Sequence, residues 1–446
     1  MRRAVAPLLL VTVALVLADS AVVTLALPEI LRHLDTSVTQ VAWVLIAFNI
    51  VLGIAAVPAA VLVSRSQPRI LSAAGIALFA GASAGCALAG SIDVLIVARC
   101  LQALGGALAL VGCLELLVAE YGERRGVAGW VTAGVIGTAV GPFAGGLLTD
   151  AISWQAIFVV QVPFAVLAVP AALAVRATPE LPPDRHRPAV RPNLTLALLS
   201  AALTAALFLL VLLLVEGWQR SPAAAAVTVS VVPVAALVAG PLARLFGTQP
   251  RGEVAVGSFL IAGGLVGLAL LPSAHLGWTV APQALVGLGL GLTVDRLTAQ
   301  AMEMRLPRAH HAGWTIGARH LGVVVGLAIL TPVFTADLAD AQVPAQEAIT
   351  ALVLDARLQP EDKIAIAEAL GSDLQAQQGQ VPDLHRAFAT LTVDPAEKPA
   401  LSALESDLDE QLERAATHAF RDSFLIGAAL ALLALGTVLW PRRRTA

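Results

Sequence analysis

Long apolar runs alternate with short polar connections along almost the whole chain. Each run holds about 20 mostly apolar residues, the length of α-helix that crosses the hydrocarbon core of a bilayer. The pattern therefore predicts an all-α integral membrane protein with twelve transmembrane helices. The predicted spans lie near residues 6–30, 40–63, 70–90, 93–117, 127–150, 155–176, 193–215, 222–246, 254–273, 277–302, 311–334 and 419–440.

Arginine is concentrated in alternate connections, and this bias predicts the orientation. Positively charged residues in short loops are retained on the cytoplasmic side of a membrane. The arginine-rich connections carry Arg65 and Arg69, Arg124 and Arg125, Arg176 to Arg191, Arg244 and Arg251, and Arg305 and Arg308. The other short connections hold only Arg32 and Arg220. We therefore expect a multi-pass protein of the cell membrane with both termini in the cytoplasm.

A proline-rich, charged stretch at 177–192 divides the predicted helices into two sets of six. It is too short and polar to span a membrane, which predicts a cytoplasmic linker between two bundles. The N-terminal bundle would be 1–176, and the C-terminal bundle 193–334 together with 419–446. The tripeptide Gln-Pro-Arg occurs at 67–69 and again at 249–251, at equivalent places in the two halves. This repeated tripeptide favours an internal duplication, as in transporters that are built from two related bundles.

The segment 335–418 has a different composition from the rest of the chain. It holds 16 acidic and 5 basic residues, and it falls between the last two predicted spans. We expect an extracytoplasmic helical insertion between helices 11 and 12, cut by prolines such as Pro344 and Pro360 into about four short helices. A solvated, poorly ordered insertion is the alternative.

Composition excludes a soluble protein and gives no sign of enzymatic chemistry. Hydrophobic residues make up 58% of the chain and charged residues 13%, and the mean hydropathy is +0.82. The three cysteines lie in apolar runs without the spacing of a metal site. Nothing resembles a nucleotide-binding loop, a metal cluster or a nucleophilic triad. We expect no cofactor, no metal and no nucleic-acid partner.

Two pairs of oppositely charged residues fall well inside predicted spans. A charge at the centre of a membrane helix costs at least about 2.5–3.5 kcal/mol, so each needs a partner or a function. Asp19 and Arg99 lie at similar depths in predicted helices 1 and 4, and Asp295 and Arg319 in helices 10 and 11. Each pair is a candidate for proton coupling, and a fixed structural bridge is the alternative. Glu115 and Arg296 lie nearer to helix ends, where snorkelling to water explains them.

Uncharged polar residues also fall at depths that a central cavity would reach. Asn49, Gln102, Gln161 and Gln283 are candidates for substrate binding. Hydrogen bonding between helices explains them equally well. His320, beside Arg319, could titrate near neutral pH or could simply pack at a helix interface.

Predicted helix 5 combines regularly spaced glycines with an internal proline. Gly137, Gly141 and Gly145 recur every four residues and share one side of the helix, Gly146 follows, and Pro142 removes a backbone donor. The arrangement is typical of a close-packed seam between membrane helices. It also suits a conformational hinge, and both interpretations stay open.

Several motifs together resemble the drug:proton antiporters of the major facilitator superfamily. The GPxxGG signature of their fifth helix is similar to Gly141-Pro142-Phe143-Ala144-Gly145-Gly146. Their D-x-T-x-V-x-x-A-L-P run resembles residues 19–28, and their R-x-x-Q-G-x-G run resembles residues 99–106. The stretch 154–163 is similar to their W-R-x-x-F-x-x-N-x-P, with Gln155 and Gln161 in place of Arg and Asn.

This resemblance implies the major facilitator fold and a proton-coupled exporter of small, hydrophobic or amphiphilic molecules that works by alternating access. One motif departs from the family: Ser64 stands where the turn after helix 2 normally has an aspartate that locks the cytoplasmic gate. Three alternatives remain. The chain could carry a lipid, could export a metabolite, or could be a transport-dead membrane protein whose acidic insertion binds a protein partner.

Overall fold

A computed structural model describes residues 2–177, 187–245, 249–302, 305–356, 358–364, 366 and 397–440. Throughout this described part the regular secondary structure is helical, and twelve of its helices are long and apolar enough to cross a membrane. The predicted fold class and number of spans are therefore confirmed. Parts of the linker and of the insertion, including Pro382 and Pro395, lie outside the described residues.

The twelve helices, α1 to α12, follow one another along the chain. Their bounds are Arg2–His33 (α1), Val38–Arg65 (α2), Pro68–Ala87 (α3), Ile92–Tyr121 (α4), Glu123–Ala151 (α5), Ala156–Ala174 (α6), Val190–Gly217 (α7), Pro222–Val229 continued by Val231–Leu245 (α8), Pro250–Ala269 (α9), Leu276–Met302 (α10), Arg308–Asp355 (α11) and Lys398–Leu439 (α12). We name the end of the bundle where α1 begins and α12 ends the terminal face. The opposite end is the distal face.

Local sequence signals account for several helix starts. Ser37 forms a capping box with Gln40 at the start of α2, and the side chain of Ser91 accepts a hydrogen bond from the backbone of Val94 in α4. Proline opens α3, α8 and α9, where its missing N–H would have no partner within the helix. These short signals place the helix starts that hydropathy alone leaves approximate.

The two halves are closely packed at the distal face. One continuous apolar core joins residues of α1, α2 and α4 with residues of α7 to α10 and α12. Between α5 and α8, a Cβ added at Gly146 would overlap the side chain of Ala226. Arg32 at the end of α1 lies 3.8 Å from Glu216 at the end of α7. The distal side is therefore closed between the halves.

A cavity of about 850 Å³ separates parts of the two halves at the terminal face. Its walls come from the beginning of α5 and the ends of α8 and α10. On the other side of the bundle α2 and α11 stay in contact, since a Cβ at Gly313 would lie 2.7 Å from the carbonyl oxygen of Ala56. The protein is thus closed distally and partly open at the terminal face.

The end of α11 differs from the prediction. Instead of stopping near residue 334, α11 continues as one helix of 48 residues and runs through position 344 without a break. The predicted break at Pro344 is wrong, because a proline removes only one helical hydrogen bond, a loss that packing of the continuing helix can offset. Pro360 and Pro399 lie in the first turns of helices, where proline is tolerated.

The extension of α11 and the first part of α12 form a helical hairpin beyond the distal face. Its small core consists of Ile349, Val353, Leu358, Ile366, Leu404, Leu408 and Leu412. The hairpin is attached to the connection between α7 and α8, where the Trp218 indole donates to Thr417 (2.9 Å) and Arg220 pairs with Glu413 (3.1 Å). It is therefore fixed to the C-terminal half.

Candidate functional site

An ion pair between α1 and α4 lies at the centre of the N-terminal half. The Nη1 group of Arg99 donates to Oδ2 of Asp19, and both side chains have no exposed surface. The same Nη1 also donates to Oε1 of Gln102 at 2.6 Å. The pair expected from matched depth is thus present as a direct contact.

Two glutamines and a serine extend this ion pair into a buried network. Nε2 of Gln161 donates to Oδ1 of Asp19 at 2.8 Å, and Nε2 of Gln102 lies 3.1 Å from the same oxygen. Gln102 also donates to the Ser83 hydroxyl at 2.8 Å. We call these five residues, Asp19, Ser83, Arg99, Gln102 and Gln161, the N-half network. It joins α1, α3, α4 and α6.

Aromatic rings complete the surroundings of Arg99. Its Cζ lies 4.0 Å from the centroid of the Phe48 ring and 5.7 Å from that of Phe158. A guanidinium in this position is stabilised by the negative face of a ring, an attraction of about 2 kcal/mol when desolvated. Within the described residues Nη2 of Arg99 has no hydrogen-bond partner. Asp19 is the carboxylate that pairs with the Arg99 guanidinium in this network. A change in the charge of Asp19 would therefore change the electrostatic stabilisation of Arg99 directly.

From the sequence, Gln102 and Gln161 are candidates for substrate binding, with helix–helix hydrogen bonding as the alternative. In the structure, the amide groups of Gln102 and Gln161 donate to the Asp19 carboxylate. These contacts are hydrogen bonds between helices. Gln283 is also buried and donates to Thr279 on its own helix at 2.9 Å. Depth along a span was readable from the sequence, whereas the direction of each side chain depends on neighbouring helices.

Asn49 makes a contact between the two halves. Its Oδ1 lies 2.7 Å from Nδ1 of His320, and its Nδ2 donates to the carbonyl of Leu45 at 2.8 Å. Asn49 is fully buried and His320 is 5% exposed. The pair joins α2 to α11, so His320 packs at a helix interface, as one of the two interpretations expected.

The expected pairing of Asp295 with Arg319 is not a direct contact. No ion pair joins them in the described part of the chain, because Asp295 is exposed and lines the cavity between the halves. Arg319 is half-buried on α11. The next residue, Arg296, pairs with Glu253 of α9 at 2.5 Å. Similar depth did not bring Asp295 and Arg319 into direct contact, because Asp295 faces the cavity between the halves, whose described lining does not include Arg319.

Charges also connect the halves at the terminal face. Arg308, the first residue of α11, lies 3.6 Å from Glu115 of α4 and 3.4 Å from Glu123 of α5. Glu115 was expected to reach water by snorkelling, and this expectation is wrong. Its side chain is 8% exposed and faces Arg308, a cation of the other half. We call Arg308, Glu115 and Glu123 the terminal latch. The Ser64 hydroxyl, where the related motif has an aspartate, donates to the carbonyl of Val61 on its own helix at 3.0 Å.

The glycines of α5 lie against α1. A Cβ at Gly137 would overlap the carbonyl oxygen of Ala14, a Cβ at Gly145 that of Val22, and a Cβ at Gly141 would lie 2.9 Å from that of Ala18. The two backbones are therefore in direct contact at three positions spread over more than two helical turns. This geometry is that of a close-packed seam, and Gly146 alone of the four faces the C-terminal half.

The protein has the features of a polytopic membrane transporter. It has two six-helix halves, a cavity between them that opens at one face, and a buried charge network. The chain belongs to the Major Facilitator Superfamily, because the sequence model of that family matches residues 9–331. The family expected from the motifs is thereby confirmed.

Relatives with assigned names include resistance and export proteins. The chain is 34% identical over 168 residues to the tetracenomycin C resistance and export protein of Streptomyces glaucescens, which covers 37% of this chain and 31% of that protein. It is 33% identical over 159 residues to the multidrug resistance protein Stp of Mycobacterium tuberculosis (35% and 30% covered). It is 30% identical over 223 residues to the methylenomycin A resistance protein of Streptomyces coelicolor (49% and 46%). The chain thus matches less than half the length of each of these relatives.

Solved structures share the fold at low identity. A bacterial homolog of the human lysosomal transporter Spinster, in an inward-facing and unoccupied conformation, has a TM-score of 0.60 and 17% identity, with 99% of both chains covered. A POT family transporter in complex with 5-aminolevulinic acid has a TM-score of 0.59 and 11% identity, covering 74% of this chain and 91% of that one. These likenesses concern the fold alone.

Proposed function

We propose that the protein is a proton-coupled exporter of small hydrophobic or amphiphilic molecules in the cell membrane. The observation that carries the proposal is the N-half network, in which the Asp19 carboxylate is the buried counter-ion of Arg99. The names of the relatives point the same way, since the tetracenomycin C protein is a resistance and export protein. We place the terminal face in the cytoplasm, because the arginine-rich connections lie there.

Protonation of Asp19 would act on the conformation through Arg99. Removing one partner of a buried ion pair costs about 3–5 kcal/mol, because the remaining charge is left uncompensated. A proton on Asp19 would therefore favour any arrangement of α1 and α4 in which Arg99 finds another partner. A difference of this size is enough to reverse a two-state equilibrium. The proton would thus bias one state of an alternating-access cycle.

The cavity between the halves is the proposed substrate site. Its volume of about 850 Å³ falls in the range of drug-sized ligand pockets, about 300–1,000 Å³. Ten of its eighteen lining residues are apolar or glycine, including Val127, Val131 and Gly291, and six are charged, among them the exposed Asp295. A lining with both apolar and charged parts suits an amphiphilic molecule. A cavity of this size between the two halves also favours a transporter over a membrane protein that has lost transport.

Transport by the purified protein in liposomes tests the proposal. With an imposed pH gradient, we expect gradient-driven movement of amphiphilic dyes and drugs, and a counterflow of protons reported by a pH-sensitive dye trapped inside. A fluorescent phospholipid and a small polar metabolite serve as competing substrates. Exclusive movement of either of these would reassign the substrate class, and no movement of any compound would reject transport.

The terminal latch yields a separate prediction about gating. Replacing Arg308 with glutamine removes both cross-half ion pairs, each with a partner at 3.4–3.6 Å. We expect about 1–2 kcal/mol in favour of a wider opening at the terminal face, in which both ion pairs are broken, a five- to thirty-fold change in population ratio. The readout is labelling by a membrane-impermeant maleimide at Val131→Cys, a cavity position, in a background without the three native cysteines.

A charge exchange distinguishes a latch from a local disturbance. The double variant Arg308→Glu with Glu115→Arg is expected to restore much of the closed population. Arg125→Gln is the matched control, because Arg125 is exposed at the same face. Equal labelling in Arg308→Gln and Arg125→Gln would contradict a gating role.

A further inference from the structure

A polar contact joins the two halves in the interior of the bundle. Nδ1 of His320 on α11 lies 2.7 Å from Oδ1 of Asn49 on α2, and both side chains are at least nine-tenths buried. The ion pairs of Arg32 and Arg308 also cross between the halves, but they lie at the distal and terminal faces. The Asn49–His320 pair is therefore placed where a change in one half can reach the other within the membrane.

The hydrogen bonds of Asn49 define which atom of this pair donates. Its Nδ2 donates to the carbonyl of Leu45 at 2.8 Å, so its Oδ1 is the atom that faces His320. An amide oxygen only accepts hydrogen bonds, and Nδ1 of His320 is therefore the donor. In the described part of the chain, Nε2 of His320 has no hydrogen-bond partner. The bond to Asn49 thus fixes this imidazole against α2.

The Arg99 guanidinium contacts α2 as well as Asp19. Its Nε lies 3.4 Å from the carbonyl oxygen of Val44, and its Cζ lies 4.0 Å from the centroid of the Phe48 ring. Both partners are uncharged, so these contacts do not depend on the charge of Asp19. When Asp19 carries a proton, Arg99 keeps the contacts with α2 and loses the ion pair. The balance of forces on Arg99 then shifts from α1 towards α2.

The contacts from both sides converge on one turn of α2. The carbonyl of Val44 accepts from Arg99, and the next carbonyl along the chain, that of Leu45, accepts from the Asn49 amide. Phe48 and Asn49 are also consecutive, and a rotation of about 100° per residue directs the first towards α4 and the second towards α11. A displacement of this turn by Arg99 therefore displaces the amide that holds the imidazole of α11.

The packing of α2 against α11 leaves little room to absorb such a displacement. A Cβ at Gly53 would lie 3.0 Å from Cγ of Leu321, and a Cβ at Gly317 would lie 3.0 Å from the carbonyl oxygen of Gly53. These positions lie within about one turn of Asn49 on α2 and of His320 on α11. Close-packed interfaces change between discrete arrangements rather than deform gradually. A shift of this part of α2 is therefore passed to α11.

We propose that Asn49 and His320 are positioning residues that pass the charge state of Asp19 from the N-half network to the C-terminal half. The inference rests on the proposed proton coupling, and it adds the route by which a proton in one half moves the other. Asp19 and Arg99 would then act on the cavity between the halves, although neither is among the described residues that line it.

Two further ionisable groups lie beside this route. Cys86 of α3 has its Sγ 3.7 Å from Oε1 of Gln102, and Arg319 precedes His320 on α11. A change of pH would act on every such group together. The test therefore changes the charge at position 19 by substitution, with Asp19→Asn as the neutral counterpart of similar size.

A double-mutant cycle read out at the cavity tests the proposal, because it isolates the interaction between two positions from their separate effects. We would measure the labelling of Val131→Cys by a membrane-impermeant maleimide in the cysteine-free full-length protein. Asp19→Asn is expected to change the labelling rate about five- to thirty-fold. In Asn49→Leu and in His320→Leu, the same substitution should change the rate less than about twofold.

Matched variants separate transmission from the loss of a buried hydrogen bond as such. His320→Gln keeps an N–H group that can donate to Oδ1 of Asn49, and it should retain most of the response to Asp19→Asn. Ser258→Ala removes a fully buried hydroxyl that donates to the carbonyl of Val254 on its own helix at 2.8 Å, and it should retain the whole response. An equal loss of response in Ser258→Ala would overturn the route.

The remaining outcomes distinguish this route from proton coupling itself. An effect of Asp19→Asn that is equally large in Asn49→Leu and in His320→Leu would overturn the route and leave the coupling role of Asp19. No effect of Asp19→Asn in the protein with an intact Asn49–His320 pair would overturn both. Unfolding midpoints of the single variants show whether each is folded, and the two leucine variants break the same bond from opposite sides. Either of them therefore suffices for the measurement.

Discussion

Replacing Asp19 with asparagine is expected to abolish proton-driven accumulation of substrate. The amide has nearly the size of the carboxylate, but it cannot gain or lose a proton in the physiological range. The network around it would therefore hold one charge state throughout the cycle. In liposomes with an imposed pH gradient, we expect uphill flux to fall to the level of protein-free vesicles, while exchange of substrate without a gradient continues.

The same substitution is expected to destabilise the protein, and this effect can be separated from coupling. Arg99 would lose its buried counter-ion, at a cost of about 3–5 kcal/mol. The double variant Asp19→Asn with Arg99→Gln removes both charges and should regain much of the stability. It should not regain proton coupling. Thermal unfolding and gradient-driven flux, measured on the same preparations, distinguish the two contributions.

Glu29 provides the matched control on the same helix. It is a half-buried carboxylate outside the N-half network. Glu29→Gln is expected to keep gradient-driven flux close to that of the unmodified protein. Undiminished uphill flux in Asp19→Asn would contradict the coupling role and leave the Asp19–Arg99 pair as a structural bridge.

Replacing Gly137 with alanine is the second change for which we expect a large effect. The added methyl group would overlap the carbonyl oxygen of Ala14, which is backbone and cannot rotate away. Overpacking usually costs about 1–3 kcal/mol, and the rigid neighbour places this site at or above the upper end. We expect α1 and α5 to separate locally, with a lower unfolding temperature and loss of transport, since Asp19 is carried on α1.

Gly129 on the same helix is the control. A Cβ there would meet only the end of the Leu10 side chain, at 3.3 Å, which can move. Gly129→Ala should therefore be tolerated and should even gain helix propensity, up to about 1 kcal/mol. If Gly137→Ala were as stable and as active as Gly129→Ala, the close contact of the two backbones would not be required.

The sequence predicted the spans well because each must satisfy a strong physical condition. A helix that crosses a bilayer needs about 20 apolar residues, and a charge within it needs a partner. For that reason the twelve helices and the Asp19–Arg99 pair could be read directly from the chain. Neither condition depends on how helices pack around one another.

Contacts between helices were predicted less well because they depend on side-chain direction. Asp295 and Arg319 are matched in depth, yet they do not form a direct pair, since Asp295 is exposed to the cavity. Glu115 meets Arg308 only because α4 and α11 are brought together at the terminal face, more than 190 residues apart in sequence. The continuation of α11 likewise rests on its packing against α12, which no local signal near Pro344 indicates.

The hairpin beyond the distal face would act as a lever arm for the C-terminal half. The part of α12 that lies in the hairpin, Lys398–Ala419, has 22 residues and a length of about 33 Å. It is fastened to the end of α7 through Trp218 and Arg220. If the halves rotate by about 15°, an angle familiar from other allosteric rotations, the far end of this part of α12 would sweep through roughly 9 Å. Movements that are small at the N-half network would thus become large outside the membrane, where a spectroscopic label or another molecule could follow them.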